Sequence, residues 1–431
     1  MASLRDSVLA ASIGRDRVVD AVKGAALLLV VIGHNLAWTS LPGGEVQTTL
    51  DAAPQFFWLT WLLQIIPLFF VMAGVGLRRL AGAAPSAYLS RVSRLLTPTL
   101  PLVAAAVVIA AIVGAVAPDL APVAGVLPVQ LLWFIGVYLL VIAVAPVLLR
   151  VTRGWQFALW LCAIASVDLG RVTVDESFGW LNLLLIWALF AGLGVNLVRL
   201  RSLPRWQVMV ALAASIAGAC LLVWLGPYSR ALISTDAVPG ISNLAPPTLV
   251  LALAGIAQTC ALLLVWDPLA RLLARDRVWV PVAVFSSRAM ELYVYHVLLM
   301  ALLISGVLAL NIAPAALSAS WWALHLVVLA IDAGTLLLLA PTLRHLSSRL
   351  TAALARGVPA SLARMLANGP RSRALVVAAA LGITVLLVSE GGVNDLVTPR
   401  VVVVLPYVPI VALAFLTVGT AVATRASQRL N

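Results

Sequence analysis

The stretch RDRVVDAVKGAALLLVVIGHNLAWTS, residues 15–40, decides how the chain is read. Charge crowds its beginning, at Arg15, Asp16, Arg17, Asp20 and Lys23, and an apolar run follows that ends at Gly33, His34 and Asn35. A helix of roughly 20 such residues crosses a hydrocarbon core of about 30 Å. The pattern recurs along the sequence, and spans are expected near 21–40, 55–77, 95–117, 127–149, 154–168, 179–198, 206–225, 246–266, 281–306, 320–343, 374–389 and 401–423. Of the 431 residues, 63% are hydrophobic and 10% charged, against about 25% charged in an average soluble domain. The expected fold is therefore all-α, a polytopic transmembrane helical bundle of about 12 spans.

Arginine and lysine orient the bundle. With the N-terminus in the cytoplasm, the inner connections are 78–94, 150–153, 199–205, 267–280, 344–373 and the tail after 423; with residues 1–23 they hold 24 of the 28 Lys and Arg, Arg429 among them. Only Arg171, Arg230 and Arg400 fall outside, and Arg288 lies within a span. This is a positive-inside distribution, and it predicts a multi-pass protein of the cell inner (plasma) membrane with a cytoplasmic N-terminus. The formal charge of +12 then follows from topology and from membrane lipid with anionic headgroups. A nucleic-acid partner is not expected, because the basic residues sit in short loops rather than one patch.

Cys162, Cys220 and Cys260 fall inside expected spans, where a thiol behaves as a small hydrophobe. No Cys/His cluster has metal-ligand spacing, so no metal is expected. The first apolar run follows 20 polar-rich residues without a small-residue cleavage site, and it is expected to stay as helix one. No repeat relates the two halves. In 344–373, Arg344, Arg349, Arg356 and Arg364 alternate with Leu346, Leu350, Leu362, Met365 and Leu366 before Gly369-Pro370 and Arg371, a pattern that predicts one or two basic interfacial helices.

Ionisable residues inside spans cost roughly 2.5–3.5 kcal/mol each on insertion scales, so they face the bundle interior and mark places where chemistry could sit. They are His34 on helix one, Arg288, Glu291 and His296 on helix nine, and His325 and Asp332 on helix ten. Arg288 and Glu291, three apart, share a helix face as a structural ion pair or as part of a polar path. His325 and Asp332, seven apart, return to one face two turns on, where a packing role and a functional one both fit. His296 follows Tyr293 and Tyr295 and reads equally as a hydrogen-bonded core histidine. On helix one, Lys23 precedes His34 by eleven residues, roughly 16 Å along the axis. One helix could thus hold an anion near the inner face and a base deeper in. Histidine titrates near pH 6.5 and suits removal of a proton from an alcohol; a buried structural histidine is the competing reading. No nucleophile triad order or glycine-rich phosphate loop competes with it.

Several motifs then fall in order. Asp20-Ala-Val-Lys-Gly leading to Gly33-His34 resembles the opening of the integral-membrane acyltransferase-3 family, in which a basic residue, ten residues and a catalytic histidine form the motif. Pro67-Leu-Phe-Phe-Val-Met-Ala-Gly74 is similar to that family's second-helix run, and Arg91-Val-Ser-Arg94 with Pro98 to the basic start of its third helix. Leu132-Trp-Phe134 with Tyr138 and Pro146 resembles its fourth helix, and Tyr293-Val-Tyr-His296 its late Tyr-Leu-x-His signature. The likeness covers about residues 15–343. Three positions depart from the pattern: Lys23 stands where Arg is usual, Ala73-Gly74 where Ser-Gly is common, and no Glu follows Trp133. Lysine keeps the charge but lacks the planar fork that grips phosphate at two points.

The resemblance implies a ten-helix acyltransferase-3-like core at 1–343; it does not explain 344–431, which the sequence pattern reads as a cytoplasmic basic interfacial segment at 344–373 and two further transmembrane helices at 374–431. It implies transfer of an acyl group, commonly acetyl, from cytoplasmic acyl-CoA to a hydroxyl of a sugar, glycan or lipid acceptor. Acyl-CoA is a co-substrate there, and no bound cofactor is implied. His34 would be the base or transient acyl carrier, and Lys23, Arg91 and Arg94 the donor-phosphate ligands, although any inner loop would be basic. Asn35, Arg288, Glu291, His296, His325 and Asp332 are candidates for acceptor binding or for a polar core. Three other classes remain open. A secondary transporter could use Arg288, Glu291 and Asp332, although 78–94 lacks the Asp-Arg-x-Gly-Arg-Arg pattern of major-facilitator transporters. A lipid-linked-sugar glycosyltransferase would draw on acidic residues in the first outer loop, where only Glu45 and Asp51 stand. A non-catalytic scaffold would use none of them.

Overall fold

The computed structural model describes residues 4–40, 46–233 and 235–428; Glu45 and Arg429 lie outside them. Eleven helices among the described residues are long and apolar enough to cross a membrane: Arg17–Leu36, Leu59–Arg78, Pro85–Val116, Pro118–Ala143, Glu176–Val195, Arg205–Leu225, Leu249–Leu273, Asp276–Ala309, Ala319–Arg356, Arg371–Gly391 and Pro409–Ser427. The protein is therefore a multi-pass, all-α membrane protein. Its described strands form two short antiparallel pairs, Trp38–Ser40 with Val46–Thr48 and Arg400–Val402 with Leu405–Tyr407.

The expected span at 154–168 is a 20-residue helix, Gly154–Thr173. At 1.5 Å per residue it has the length to cross, but Gln156, Asp168 and Arg171 dilute its apolar character below that of the other eleven. Other boundaries shift too, the third and fourth spans beginning at Pro85 and Pro118 rather than near 95 and 127. Instead of ending near 343, the tenth helix runs without a break from Ala319 to Arg356, and only the eight residues Ala360–Ala367 form a separate short helix after it. The last span starts at Pro409 rather than 401, because the residues before it fold into the second strand pair.

The chain divides into two compact units. The first comprises residues 1–78, 148–293 and 303–337. Its tightest seam joins Ile66–Arg78 to Leu181–Val195. A Cβ on Gly74 would lie 2.0 Å from the Ala191 carbonyl oxygen, and one on Gly194 1.7 Å from that of Val71, so the backbones touch where only glycine fits. Phe70, Trp187 and Phe190 pack beside this seam, with ring centroids 4.9 Å and 5.9 Å apart.

The connection 226–248 is folded rather than loose. Asn243 donates to the Ser229 and Ala231 carbonyls, both at 2.8 Å, and accepts from Thr248. Trp61 donates to the Arg230 carbonyl at 2.8 Å, the Leu232 amide to Thr60 Oγ1 at 2.9 Å, and the Ala237 amide to Asp51 Oδ1 at 3.0 Å. From below, buried Asp168 accepts from Asn182, Tyr228 and the Leu249 amide. Burial pushes the Tyr228 phenol up, and the neighbouring Asp168 carboxylate pushes it further, so it stays protonated as that donor.

The second unit comprises residues 79–147, 294–302 and 338–431. Arg371–Gly391 lies along Trp133–Ala143, and a Cβ on Gly136 would come 2.9 Å from the Gly382 carbonyl oxygen. Pro409–Ser427 packs on Pro85–Leu96, where Ser93 and Thr424 share a hydrogen bond of 2.7 Å. Arg371 donates to the Gly82 and Ala83 carbonyls, fixing the start of its helix to the 79–84 turn.

Candidate active site

The first helix is fixed at both ends. At its start Asp16 accepts from the Val18 and Val19 amides at 2.9 and 3.2 Å, an N-cap that satisfies two otherwise orphaned donors. Arg17 donates to the Leu273 and Ala274 carbonyls at the end of Leu249–Leu273, lies 3.8 Å from Asp276, and stacks 5.1 Å from the Trp279 ring centroid. A cation at the negative end of a helix is favourable. Ser286 donates to the Asp20 carbonyl one turn further in.

Eleven residues at 100° each bring Lys23 and His34 within about 20° of one another around the helix, so both occupy one stripe roughly 16 Å apart. Both side chains are half-buried. His34 Nδ1 sits 2.7 Å from the Val30 carbonyl oxygen. A carbonyl can only accept, so Nδ1 carries the proton, and in the neutral ring the lone pair is on Nε2. The backbone thereby sets the tautomer a base needs.

Asn35 faces the other way, toward Ala319–Arg356. Its Oδ1 lies 3.3 Å from His325 Nδ1, and both residues are buried, 2% and 1% exposed. The imidazole of His325 is sandwiched between Trp321, at 3.9 Å between centroids, and Trp38, at 4.6 Å. Trp321 Nε1 donates to Thr39 Oγ1 at 3.2 Å. Asn35 Nδ2, Trp38 Nε1 and His325 Nε2 have no hydrogen-bond partner among the described residues. The structure thus joins two predicted residues 290 positions apart, and adds Trp38, Thr39 and Trp321, which the sequence reading missed. The available signal was Trp321 one helical turn before His325.

Other pairings differ from expectation. Among the described residues Arg288 forms no ion pair with Glu291; its NH1 donates to the Leu337 carbonyl at 3.0 Å, while Glu291 is buried. Three residues' spacing allows a shared face, but the carbonyl of a neighbouring helix takes the Arg288 donor instead. His325 and Asp332 lie on one helix without touching, and Asp332 Oδ1, also buried, has no partner among the described residues. No three His, Cys, Asp or Glu side chains among the described residues gather as metal ligands would.

In the second unit, Arg91 is half-buried and Arg94 exposed on Pro85–Leu96, with Arg94 Nε donating to the Ser90 carbonyl. Both guanidinium charges act on the buried Tyr138 hydroxyl of Trp133–Ala143. Tyr295 donates to the Pro98 carbonyl at 2.9 Å, and its neighbour His296 is fully buried. Motifs distant in sequence therefore meet inside this unit: Pro98 is bonded by the late Tyr-x-His, and the helix of the basic pair packs on that of Tyr138.

No curated protein and no solved structure matches the chain. The acyltransferase-3 family model, described as an acyltransferase domain, matches residues 16–340. The match begins at the cap of the first helix, ends inside the tenth, and encloses each motif placed above, which favours a transferase over a transporter, a glycosyltransferase or a scaffold. The chain belongs to the acyltransferase-3 family and is a membrane acyltransferase that transfers groups other than aminoacyl groups.

Proposed function

We propose that the protein moves an acyl group, acetyl in the simplest case, from cytoplasmic acyl-CoA to a hydroxyl of a sugar, glycan or lipid acceptor, in the plasma membrane with its N-terminus in the cytoplasm. The observation that carries this reading is the bond from His34 Nδ1 to the Val30 carbonyl, which leaves the basic lone pair on Nε2. Nε2 takes the proton of the acceptor hydroxyl as its oxygen attacks the thioester carbonyl. The carbon–sulfur bond breaks, the proton passes to the departing sulfur, and free coenzyme A and an acylated acceptor result. Acyl-CoA is consumed as a co-substrate, and no bound cofactor takes part.

Lys23 on the first helix and Arg91 and Arg94 on Pro85–Leu96 are assigned to the donor's phosphates. Under the positive-inside orientation all three lie toward the cytoplasmic ends of their segments. The 1–343 core carries this chemistry, and 344–431 is an addition to it.

Purified protein incubated with labelled acetyl-CoA and cell-envelope extract, followed by mass spectrometry of the acceptor, tests reaction and substrate together. His34→Ala is expected to insert normally and lose transfer by about 10²–10⁴-fold, the usual contribution of a positioned base. Full transfer by a well-folded His34→Ala protein would overturn the assignment.

A further inference from the structure

A proline opens a charged recess at one end of Arg205–Leu225 and Leu249–Leu273, away from His34 in sequence and in role. Pro268 lies inside the second of these helices and has no N–H, so the Leu264 carbonyl four residues earlier lacks its helical donor. Arg205 supplies one, with NH2 3.2 Å from that oxygen. Arg201 is held by Asp267, 3.5 Å away, and by stacking 4.6 Å from the Trp266 ring centroid. Arg271 completes the rim and makes no hydrogen bond or ion pair with any described residue.

The recess encloses about 270 Å³, room for about nine waters at ~30 Å³ each. Three guanidinium groups against one carboxylate leave an excess of two positive charges. Each arginine has five N–H donors, and those not spent on the protein suit the oxygens of a phosphate, which arginine grips in pairs. Leu203 and Val208 continue the lining as apolar wall, and Trp206, Met209 and Val210 are exposed on the same helix. Cationic and tryptophan side chains above an apolar helix face match the boundary between headgroups and acyl chains.

We propose that this recess binds the phosphodiester headgroup of an anionic phospholipid, with the acyl chains lying along the exposed face of Arg205–Leu225. A soluble phosphate such as that of coenzyme A has the same head chemistry but no use for the apolar face.

The test uses the full chain in nanodiscs of phosphatidylcholine doped with phosphatidylglycerol, with retained lipid counted by native mass spectrometry after mild detergent release. The wild type is expected to retain phosphatidylglycerol over phosphatidylcholine. Arg271→Gln, which removes no internal bond, is expected to retain about fivefold less, the effect of one cation near an anionic surface, with an unchanged melting temperature. Arg205→Gln with Arg271→Gln is expected to lose the preference altogether. Equal retention of the two lipids by the wild type, or undiminished phosphatidylglycerol on Arg271→Gln, overturns the proposal. So does coenzyme A that binds in pure phosphatidylcholine discs and is lost in Arg271→Gln, because the recess is then a soluble-phosphate site.

Discussion

Lys23 and His34 share one stripe of one helix, so their spacing alone reports their relation, and it was legible in the sequence. Their neighbour Asn35 was legible only as a polar residue in a span. Its partner His325 comes from the tenth helix, and periodicity within that helix pointed instead to Asp332, which it does not touch. Helical spacing ranks the faces of one helix and is silent on which other helix meets them, and for the same reason the expected Arg288–Glu291 pair gives way to a bond with Leu337. Asn35→Ala leaves His325 Nδ1 without its acceptor in a buried setting and is expected to cost about 1–3 kcal/mol. In a double-mutant cycle with His325→Phe the two losses should fall short of additivity by 0.5 kcal/mol or more, on the order expected for direct contact. Additive losses in detergent unfolding would deny the contact. For Lys23, replacement by Arg is expected to retain donor binding and replacement by Ala to raise the KM for acyl-CoA with kcat little changed, since a phosphate contact remote from the reacting carbon stabilises ground and transition states alike.

Elements follow local sequence closely in this chain. Apolar runs located all eleven spanning helices, but several ends lie 8 to 13 residues from where they were expected, at Pro85, Pro118, Arg356 and Pro409. Two departures have plain local causes: three polar side chains weaken Gly154–Thr173, and the strand pair before Pro409 takes residues that are apolar but not helical. Close packing was less visible. Gly74 stood out as a motif residue, yet its contact with Ala191 belongs to a helix more than a hundred residues away. Gly74→Val must push two backbones apart, and a melting-temperature assay in detergent is expected to show a loss of about 1–3 kcal/mol or failure to fold. The 226–248 connection carries its own pH dependence through Asp51. Burial pushes this carboxyl up, but hydrogen bonds from the Thr48 hydroxyl and the Ala237 amide help to outweigh burial and hold it below the usual carboxylate range. A lowered folded-state value stabilises above the unfolded value of about 3.9 and loses that contribution as pH falls through the folded one. Resistance of 226–248 to pepsin should therefore hold near pH 5 and drop below about pH 4. Asp51→Asn, already lacking the charged acceptor, should show weaker protection and little further change over that window.

At the scale of the molecule, composition alone settled the class, because a chain this apolar has no soluble alternative. The family match ends at residue 340, but the fold does not: Arg371–Gly391 and Pro409–Ser427 complete the second unit by covering Trp133–Ala143 and Pro85–Leu96. Nothing in the sequence of 344–431 named those partners, since a helix that is apolar all round does not declare which side meets protein and which meets lipid. A chain stopped after residue 343 is expected to expose the Gly136 seam and to aggregate in fluorescence-detected size-exclusion chromatography; a monodisperse peak with full melting temperature would show the last two helices to be dispensable. Reporter fusions at 150–153 and 344–373 are expected to report the cytoplasm and fusions in 226–248 the opposite side, in line with the arginine distribution. The sandwich of His325 between Trp38 and Trp321 also gives this membrane protein a light-readable gauge. An imidazole in van der Waals contact with an excited indole quenches its emission, so movement of the end of the first helix against the tenth during turnover changes the brightness of Trp38, while Trp321, on the same helix as His325, keeps its contact. The difference spectrum between wild type and Trp38→Phe, recorded as acyl-CoA is added, reads that movement without an attached dye.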